Sequence, residues 1–360
     1  MKFDYAEIIS SIPICFNQDI SITERGDIIV SIGKSACFMY EKYCGEFPEA
    51  KEKKALLIVP ENISCSDLPV NCTVVFSTHP LMSEKSFIAA QKLFRFINEN
   101  KPSSVTVLLS GGSSSLIEHS ADPEFTIEVN RDLLYSGLDI VSMNKERIKH
   151  SLVKGGKFAE MYPGIYFNVF VMSDIPFNGG EYFAGSMPFY KNGLKNCTLQ
   201  KCADSDTLHD HLIKKIDALR KPGTISVRKF NGSVNELYEV IKKHILQCSS
   251  NMIVTGEPSI KIELEKRKGV GGRMSHLALM LLPFIDESTS LYAFSSDGID
   301  GNSFCAGVAI EKGLKEYDGN VYEKALEDFN SANFFMDAGC IVKTGYTGLN
   351  LNDFILVIKH

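Results

Sequence analysis

Two α/β domains, each built as a three-layer α/β/α sandwich, are what this 360-residue sequence predicts. Three observations lead there. The chain is longer than one typical domain. Its apolar runs, such as ALLIVP (55–60) and VTVLL (105–109), do not alternate with polar residues and are separated by segments of helical period. That pattern belongs to parallel strands buried on both faces. Finally, residues 191–235 are polar with few apolar anchors and contain the turn signal KPGT (221–224), which marks a transition between domains. The expected domains are 1–200 and 201–360.

The elements follow in order. DIIVSIG (27–33) reads as a strand and KSACFMYEKYC as the helix after it. ALLIVP (55–60) and TVVFSTH (73–79) read as strands. In SEKSFIAAQKLFRFINEN (83–100), Phe87, Ala90, Leu93, Phe94 and Ile97 recur at helical spacing. SVTVLLSGG (104–112) is a strand entering a glycine turn. MNKERIKHSLVKGGKFAEMY (143–162) is a helix interrupted by Gly155-Gly156, and IYFNVFVMSDI (165–175) is a strand ending in an acid. Beyond the polar stretch come a helix at 233–247, strands at 251–257 and 260–266, a helix at 274–285 and a strand at 290–298. A helix at 321–338 and strands at 340–345 and 353–360 complete the chain.

Composition excludes several classes. Apolar content of 44% and charged content of 23% are those of a soluble globular protein. The net charge of -6, with no Lys/Arg-rich run, argues against a nucleic-acid surface. No apolar run approaches the roughly 20 residues of a membrane span. The first ten residues, MKFDYAEIIS, lack the apolar core of a secretory signal, so a cytoplasmic location is expected. The ten cysteines form no Cys-x-x-Cys pair and read as free thiols in a reducing compartment. No histidine pair has metal-ligand spacing, and His209 and His211, flanking Asp210, read as exposed.

The chemistry-bearing residues cluster in glycine-punctuated loops. Ser110-Gly111-Gly112-Ser113-Ser114-Ser115 lies between a strand and a helix. There it forms either a phosphate cradle of backbone N–H groups or a tight turn of small residues kept for packing. Gly33-Lys34-Ser35 sits at another strand-to-helix junction, so Lys34 is either a point charge for a phosphate or a solvated lysine. Asp174, Glu257 and Asp297 each close an apolar strand, where an acid serves as a Mg²⁺ ligand, a general base or a helix cap. In Gly269-Val270-Gly271-Gly272-Arg273 the arginine precedes a helix and suits a fork-like grip on phosphate or carboxylate. Arg147, His150 and Lys154 are either cationic candidates or a solvated helix face, and His79, before Pro80, is either a substrate contact or a satisfied loop residue. A Walker A loop is absent, and the Gly269 stretch lacks the third glycine of a dinucleotide fingerprint.

Taken in order, these loops resemble the MOFRL-type glycerate kinases, the glycerate 2-kinase family. The matches are Gly33-Lys34-Ser35-Ala36, His79-Pro80, Ser110 to Ser115, Ser136 to Ile140, Asn144 to Arg147, Ser151 to Gly156 and Ser173-Asp174. They continue with Gly256-Glu257, Gly269 to Arg273, Asp297 to Gly301, Ala306-Gly307, Thr344-Gly345 and Asn352-Asp353. The resemblance implies two α/β domains, the first Rossmann-like, with the active site in the interdomain cleft. It implies ATP- and Mg²⁺-dependent phosphorylation of D-glycerate, usually to 2-phosphoglycerate. Lys34, Arg273 and Asp174 would be catalytic. Substrate and phosphate would meet His79, Ser110, Gly111, Gly112, Ser113, Ser114, Asn144, Arg147, Lys154, Gly271, Gly272 and Asn352. Asp174, Glu257 and Asp297 would bind the metal. The expected partners are small molecules only, D-glycerate and ATP, with room for a homodimer. The competing readings are an NAD(P)-dependent hydroxypyruvate reductase and a kinase that yields 3-phosphoglycerate. Where the family continues its Gly-Gly-Arg with Asn-Gln-Glu, this chain has Met274-Ser275-His276.

Overall fold

The computed structural model describes residues 3–16, 26–136, 138, 140–173, 186–261, 268–314 and 317–360. Asp174 and most of the strand expected at 260–266 lie outside them. The chain divides into two compact units, Ile14–Asp204 and Met1–Pro13 with Ser205–His360.

The first unit holds a six-stranded sheet. Its strands are β1 (Ile28–Ile32), β2 (Ala55–Pro60), β3 (Cys72–Ser77), β4 (Ser104–Ser110), β5 (Tyr166–Met172) and β6 (Cys197–Ala203). They run in the order β3-β2-β1-β4-β5-β6, and every pair is parallel. The central strands β1, β2 and β4 are buried at every position, which explains their unalternated apolar sequences. Parity then assigns the two faces. Val30, Val107 and Val169 pack with Ala90, Leu93 and Ile97 of the helix Glu84–Asn100. On the opposite parity, Thr106 Oγ1 lies 3.3 Å from Tyr43 Oη, on the helix Ala36–Glu46. Helices on both faces make this unit a three-layer sandwich. The edge strand β6 is half solvated, which is why its polar sequence does not announce a strand.

The second unit holds another six-stranded sheet. Its strands are β7 (Ile225–Phe230), β8 (Met252–Gly256), β9 (Thr289–Ser295), β10 (Gly307–Ile310), β11 (Ile341–Val342) and β12 (Asp353–Lys359), ordered β11-β10-β9-β12-β8-β7. This sheet is mixed: β7 and β8 are parallel, whereas β12 runs antiparallel to both β8 and β9. The parallel arrangement inferred from buried apolar runs thus holds for the first sheet, and the mixed direction of the second is not visible in such runs. A strand buried on both faces reads the same in either direction.

One face of this sheet packs Val254, Ala293 and Ile355 against Leu237 and Ile241 of the helix Val234–Gln247. Ser233 and Glu236 form a capping box that starts this helix. The other face is covered by the helix Ser205–Lys215 and by the first residues of the chain. Phe3 lies 4.4 Å from the Tyr292 ring, and Tyr5 donates to Ser295 O at 2.6 Å. Residues 1–13 therefore join the second unit, whereas the sequence reading grouped them with the first.

Other expectations are corrected as well. The helix expected at 321–338 is two, Gly319–Glu327 and Ser331–Asp337. The polar stretch holds β6, β7 and the helix Ser205–Lys215. His209 and His211 on that helix are buried rather than exposed. His209 bonds to Thr255 Oγ1 and Ser226 Oγ at 2.8 and 2.7 Å. Cys37 and Cys65 are joined in a disulfide, so the expectation of ten free thiols does not hold. No helix among the described residues is long and apolar enough to cross a membrane.

Candidate active site

In the first unit the strand order reverses between β1 and β4. Open α/β sheets bind ligands at such a switch point, outside the carboxyl ends of the strands. Lys34 lies two residues past the end of β1, and Gly111-Gly112 follow the end of β4. The two loops are tied together. Lys34 N donates to Gly111 O at 2.9 Å, and Ser35 N donates to Ser110 Oγ at 3.1 Å. Gly112 has φ +86°, and a Cβ there would stand 2.8 Å from His79 Cδ2 and 3.1 Å from Lys34 Cγ. Lys34, His79 and the glycine turn thus converge, and only glycine leaves space between them. Among the described residues the Lys34 ammonium makes no hydrogen bond or ion pair.

The serine hydroxyls are less available than the sequence suggests. Ser110 and Ser113 are buried, and Ser113 Oγ donates to Ser110 O at 2.8 Å. The helix Ser113–Leu116 is a single turn, too short to add much dipole. What the turn can offer an anion is therefore the half-exposed backbone of Gly111 and Gly112.

His79 is pushed down to about 4 by burial, and then by the charges of Lys34 and Arg147. Its imidazole should therefore be neutral throughout pH 5–8. The unfolded chain takes up that proton near pH 6.5. The stability linked to His79 is thus present above pH 6.5 and is lost as pH falls through about 4. An NMR titration of the imidazole checks this, and a midpoint near 6.5 would contradict it.

A buried polar chain leads away from the turn. Ser114 Oγ lies 2.9 Å from Ser186 Oγ, and Ser186 Oγ donates to Asn144 Oδ1 at 2.8 Å. Arg147 NH1 donates to the same oxygen at 3.3 Å. The helix Ile140–His150 places Asn144 and Arg147 three residues apart, on one face. Lys154 is not free to meet a substrate. Its ammonium is fully buried against Glu118, and Glu118 also accepts from Ser151 Oγ at 2.5 Å. This corrects the reading of Lys154 as a phosphate ligand, because a buried ammonium paired this closely holds the local structure. Glu118 went unnoticed in the sequence.

In the second unit, register builds the cluster. Asp353, the first residue of β12, pairs with Gly256 at the end of β8 and with Ser295 at the end of β9. Glu257 and Asp297 follow those two strand ends. Arg273, the first residue of the helix Arg273–Leu281, donates from Nε to Asp353 Oδ2 at 2.6 Å. Its NH1 lies 3.0 Å from Glu257 Oε1. Burial works against the Arg273 charge, but Asp353 and Glu257 outweigh it and raise its pKa. Asp353 is fully buried and is pushed up to about 7 by that burial; Arg273 opposes the shift, while Asp300 and Glu257 add to it.

Asp300 caps the same helix, accepting from Met274 N at 3.0 Å and Ser275 N at 2.8 Å. A Cβ at Gly272 would collide with the Asp300 carboxylate, so the second glycine of Gly-Gly-Arg is required by packing. Gly271 N donates to Asn302 Oδ1 at 2.8 Å. Asp297 Oδ1 accepts from Ile299 N at 2.9 Å and Ser295 Oγ at 3.0 Å. Asn352, at φ +72°, accepts from Ser296 N through its carbonyl at 3.1 Å. Asp353 and Asp300 stood inside the quoted motifs without being singled out. Their role depends on strand pairing, which sequence does not show.

Among the described residues no group of three or more His, Cys, Asp or Glu could hold a metal ion. Glu257 is occupied by Arg273, and Asp174 lies outside the described residues.

Comparison with known proteins adds to this geometry. The model of the DUF4147 family, a domain of unknown function, matches residues 8–218, and that of the MOFRL family matches residues 250–353. A glycerate 2-kinase of Sulfurisphaera tokodaii is 27% identical, covering 90% of this chain and 88% of its own. A provisionally named hydroxypyruvate reductase of Agrobacterium vitis is 34% identical over 78% of this chain and 76% of its own. The crystal structure of a glycerate kinase from Thermotoga maritima superposes with a TM-score of 0.82 at 20% identity. It covers 99% of this chain and 97% of its own, a likeness of fold.

Proposed function

The chain belongs to the family that joins a DUF4147 domain to a MOFRL domain, and we propose that it is a glycerate 2-kinase. It transfers the terminal phosphoryl group of ATP to the 2-hydroxyl of D-glycerate. One observation carries the reading. An uncommitted lysine at a sheet switch point and an arginine gripped by two carboxylates occur in a chain whose relatives, over nine-tenths of its length, are named glycerate 2-kinases.

Phosphoryl transfer asks for positioning and charge neutralisation more than for covalent catalysis. Lys34 is suited to neutralise the transferring group as a point charge, with Gly111 and Gly112 close beneath it. Arg273 keeps its orientation because Asp353 and Glu257 hold two of its nitrogens. It can then present its remaining nitrogen, NH2, to an anion. Asp297 is the described strand-end acid that carries no ion pair, and it is the candidate to accept the substrate hydroxyl proton. Magnesium enters with ATP, and Asp297 and Glu257 are the described strand-end acids nearest in kind to its oxygen ligands. Its partners are two small polar substrates, D-glycerate and ATP.

The reading is tested by coupling ADP release to D-glycerate. ADP should form only with D-glycerate present, and excess EDTA should abolish its formation. ADP release undiminished in EDTA would contradict the dependence on Mg·ATP. A reductase would instead oxidise NADH when given hydroxypyruvate, so the same preparation separates the two readings.

A further inference from the structure

Arg147 is 8% exposed, yet its Nε has no hydrogen-bond partner and its NH1 makes one long bond, to Asn144. A buried guanidinium with a vacant donor edge costs free energy unless a ligand completes it. Its surroundings say which kind of ligand. Glu118 is committed to Lys154, Ser151 and the His119 N–H. Among the described residues, Arg147, Lys154 and Glu118 together leave one buried positive charge uncompensated. His79 adds none, because its imidazole is neutral. A single carboxylate would balance that charge and could take both oxygens along the guanidinium edge.

We propose that Arg147 is the carboxylate anchor of the acceptor, held toward it by the Ser114–Ser186–Asn144 chain, which leaves Lys34 for the phosphoryl group. This rests on the reading of the chain as a hydroxy-acid kinase. It makes the carboxylate the feature the enzyme recognises, so short 2-hydroxy acids bind where their neutral amides do not.

Steady-state kinetics of Arg147→Ala and Arg147→Lys, with D-glycerate and with its uncharged amide, test the proposal. Losing a charge-assisted pair should raise KM for D-glycerate about 10- to 100-fold. KM for ATP should move less than about twofold, the mark of acceptor binding alone. The alanine variant should lose the preference for the acid over the amide, and the lysine variant should recover part of it. A rise in KM for ATP with that for D-glycerate unchanged would overturn the proposal. Thermal shift provides a second readout without turnover. D-Glycerate should raise the unfolding temperature of the wild type and not that of Arg147→Ala, while ATP stabilises both, which also shows that the variant is folded. An equal response of the two proteins to D-glycerate, including none, would overturn the proposal. If the wild type binds D-glycerate in this way but never phosphorylates it, the kinase reading fails and the carboxylate site stands.

Discussion

Arg273→Ala should lower turnover by about 10²- to 10³-fold, the usual loss when one preorganised electrostatic contact of ~3–4 kcal/mol is removed. The expectation follows from how the side chain is held. Its Nε is fixed by the buried Asp353 and its NH1 by Glu257, so the fork reaches a charged substrate group already oriented. The substitution also removes the cation that opposes the upward shift of Asp353. That carboxyl, at about 7 with Arg273 present, should rise further and become neutral. Neutralisation limits the cost of a buried, unpaired charge, so the variant should stay folded, as a circular-dichroism melt would show. Arg273→Lys should not restore activity, because a point charge cannot meet Asp353 and Glu257 with two separate nitrogens. A loss smaller than about tenfold in kcat/KM for the alanine variant would remove Arg273 from the catalytic machinery.

Lys34→Ala should lose turnover to a similar degree, by about 10²-fold or more, with almost no change in stability. The two variants differ for a structural reason. Lys34 has no partner among the described residues, so its removal strands no carboxylate. The loop is kept by backbone bonds, Lys34 N to Gly111 O and Ser35 N to Ser110 Oγ, which alanine retains. A melt that shifts by many degrees, or activity within about tenfold of wild type, would show that Lys34 is a structural or solvated lysine.

Much of this architecture was legible in the sequence, and the failures share a cause. Strands β1, β2, β4 and β5 were readable because burial on both faces makes them continuously apolar. The helix Glu84–Asn100 was readable from its period, and Val234–Gln247 was expected at 233–247. β6 and β7 were not, since half-solvated edge strands carry polar residues. The antiparallel direction of β12 was equally hidden, because strand direction lies in the connections and not in the strand's own residues.

The candidate site divides in the same way. Lys34, His79 and Gly112 sit in loops, and Arg273 at a loop-to-helix junction, whose composition reveals them. Glu118 and Asp353 act through partners 36 and 80 positions away, so no local pattern marks them. Lys154 was misread for the same reason, as its glycine-rich neighbourhood looks like a ligand loop while its buried partner lies far upstream.

The most direct test of the central claim is phosphorus NMR of the product formed from ATP, Mg²⁺ and D-glycerate. A phosphomonoester signal should appear that matches authentic 2-phosphoglycerate and grows with ADP, and it should form at least about 10²-fold more slowly with either Lys34→Ala or Arg273→Ala. A signal matching 3-phosphoglycerate would contradict the assigned hydroxyl, and no new phosphomonoester from the folded wild-type protein would contradict the kinase itself.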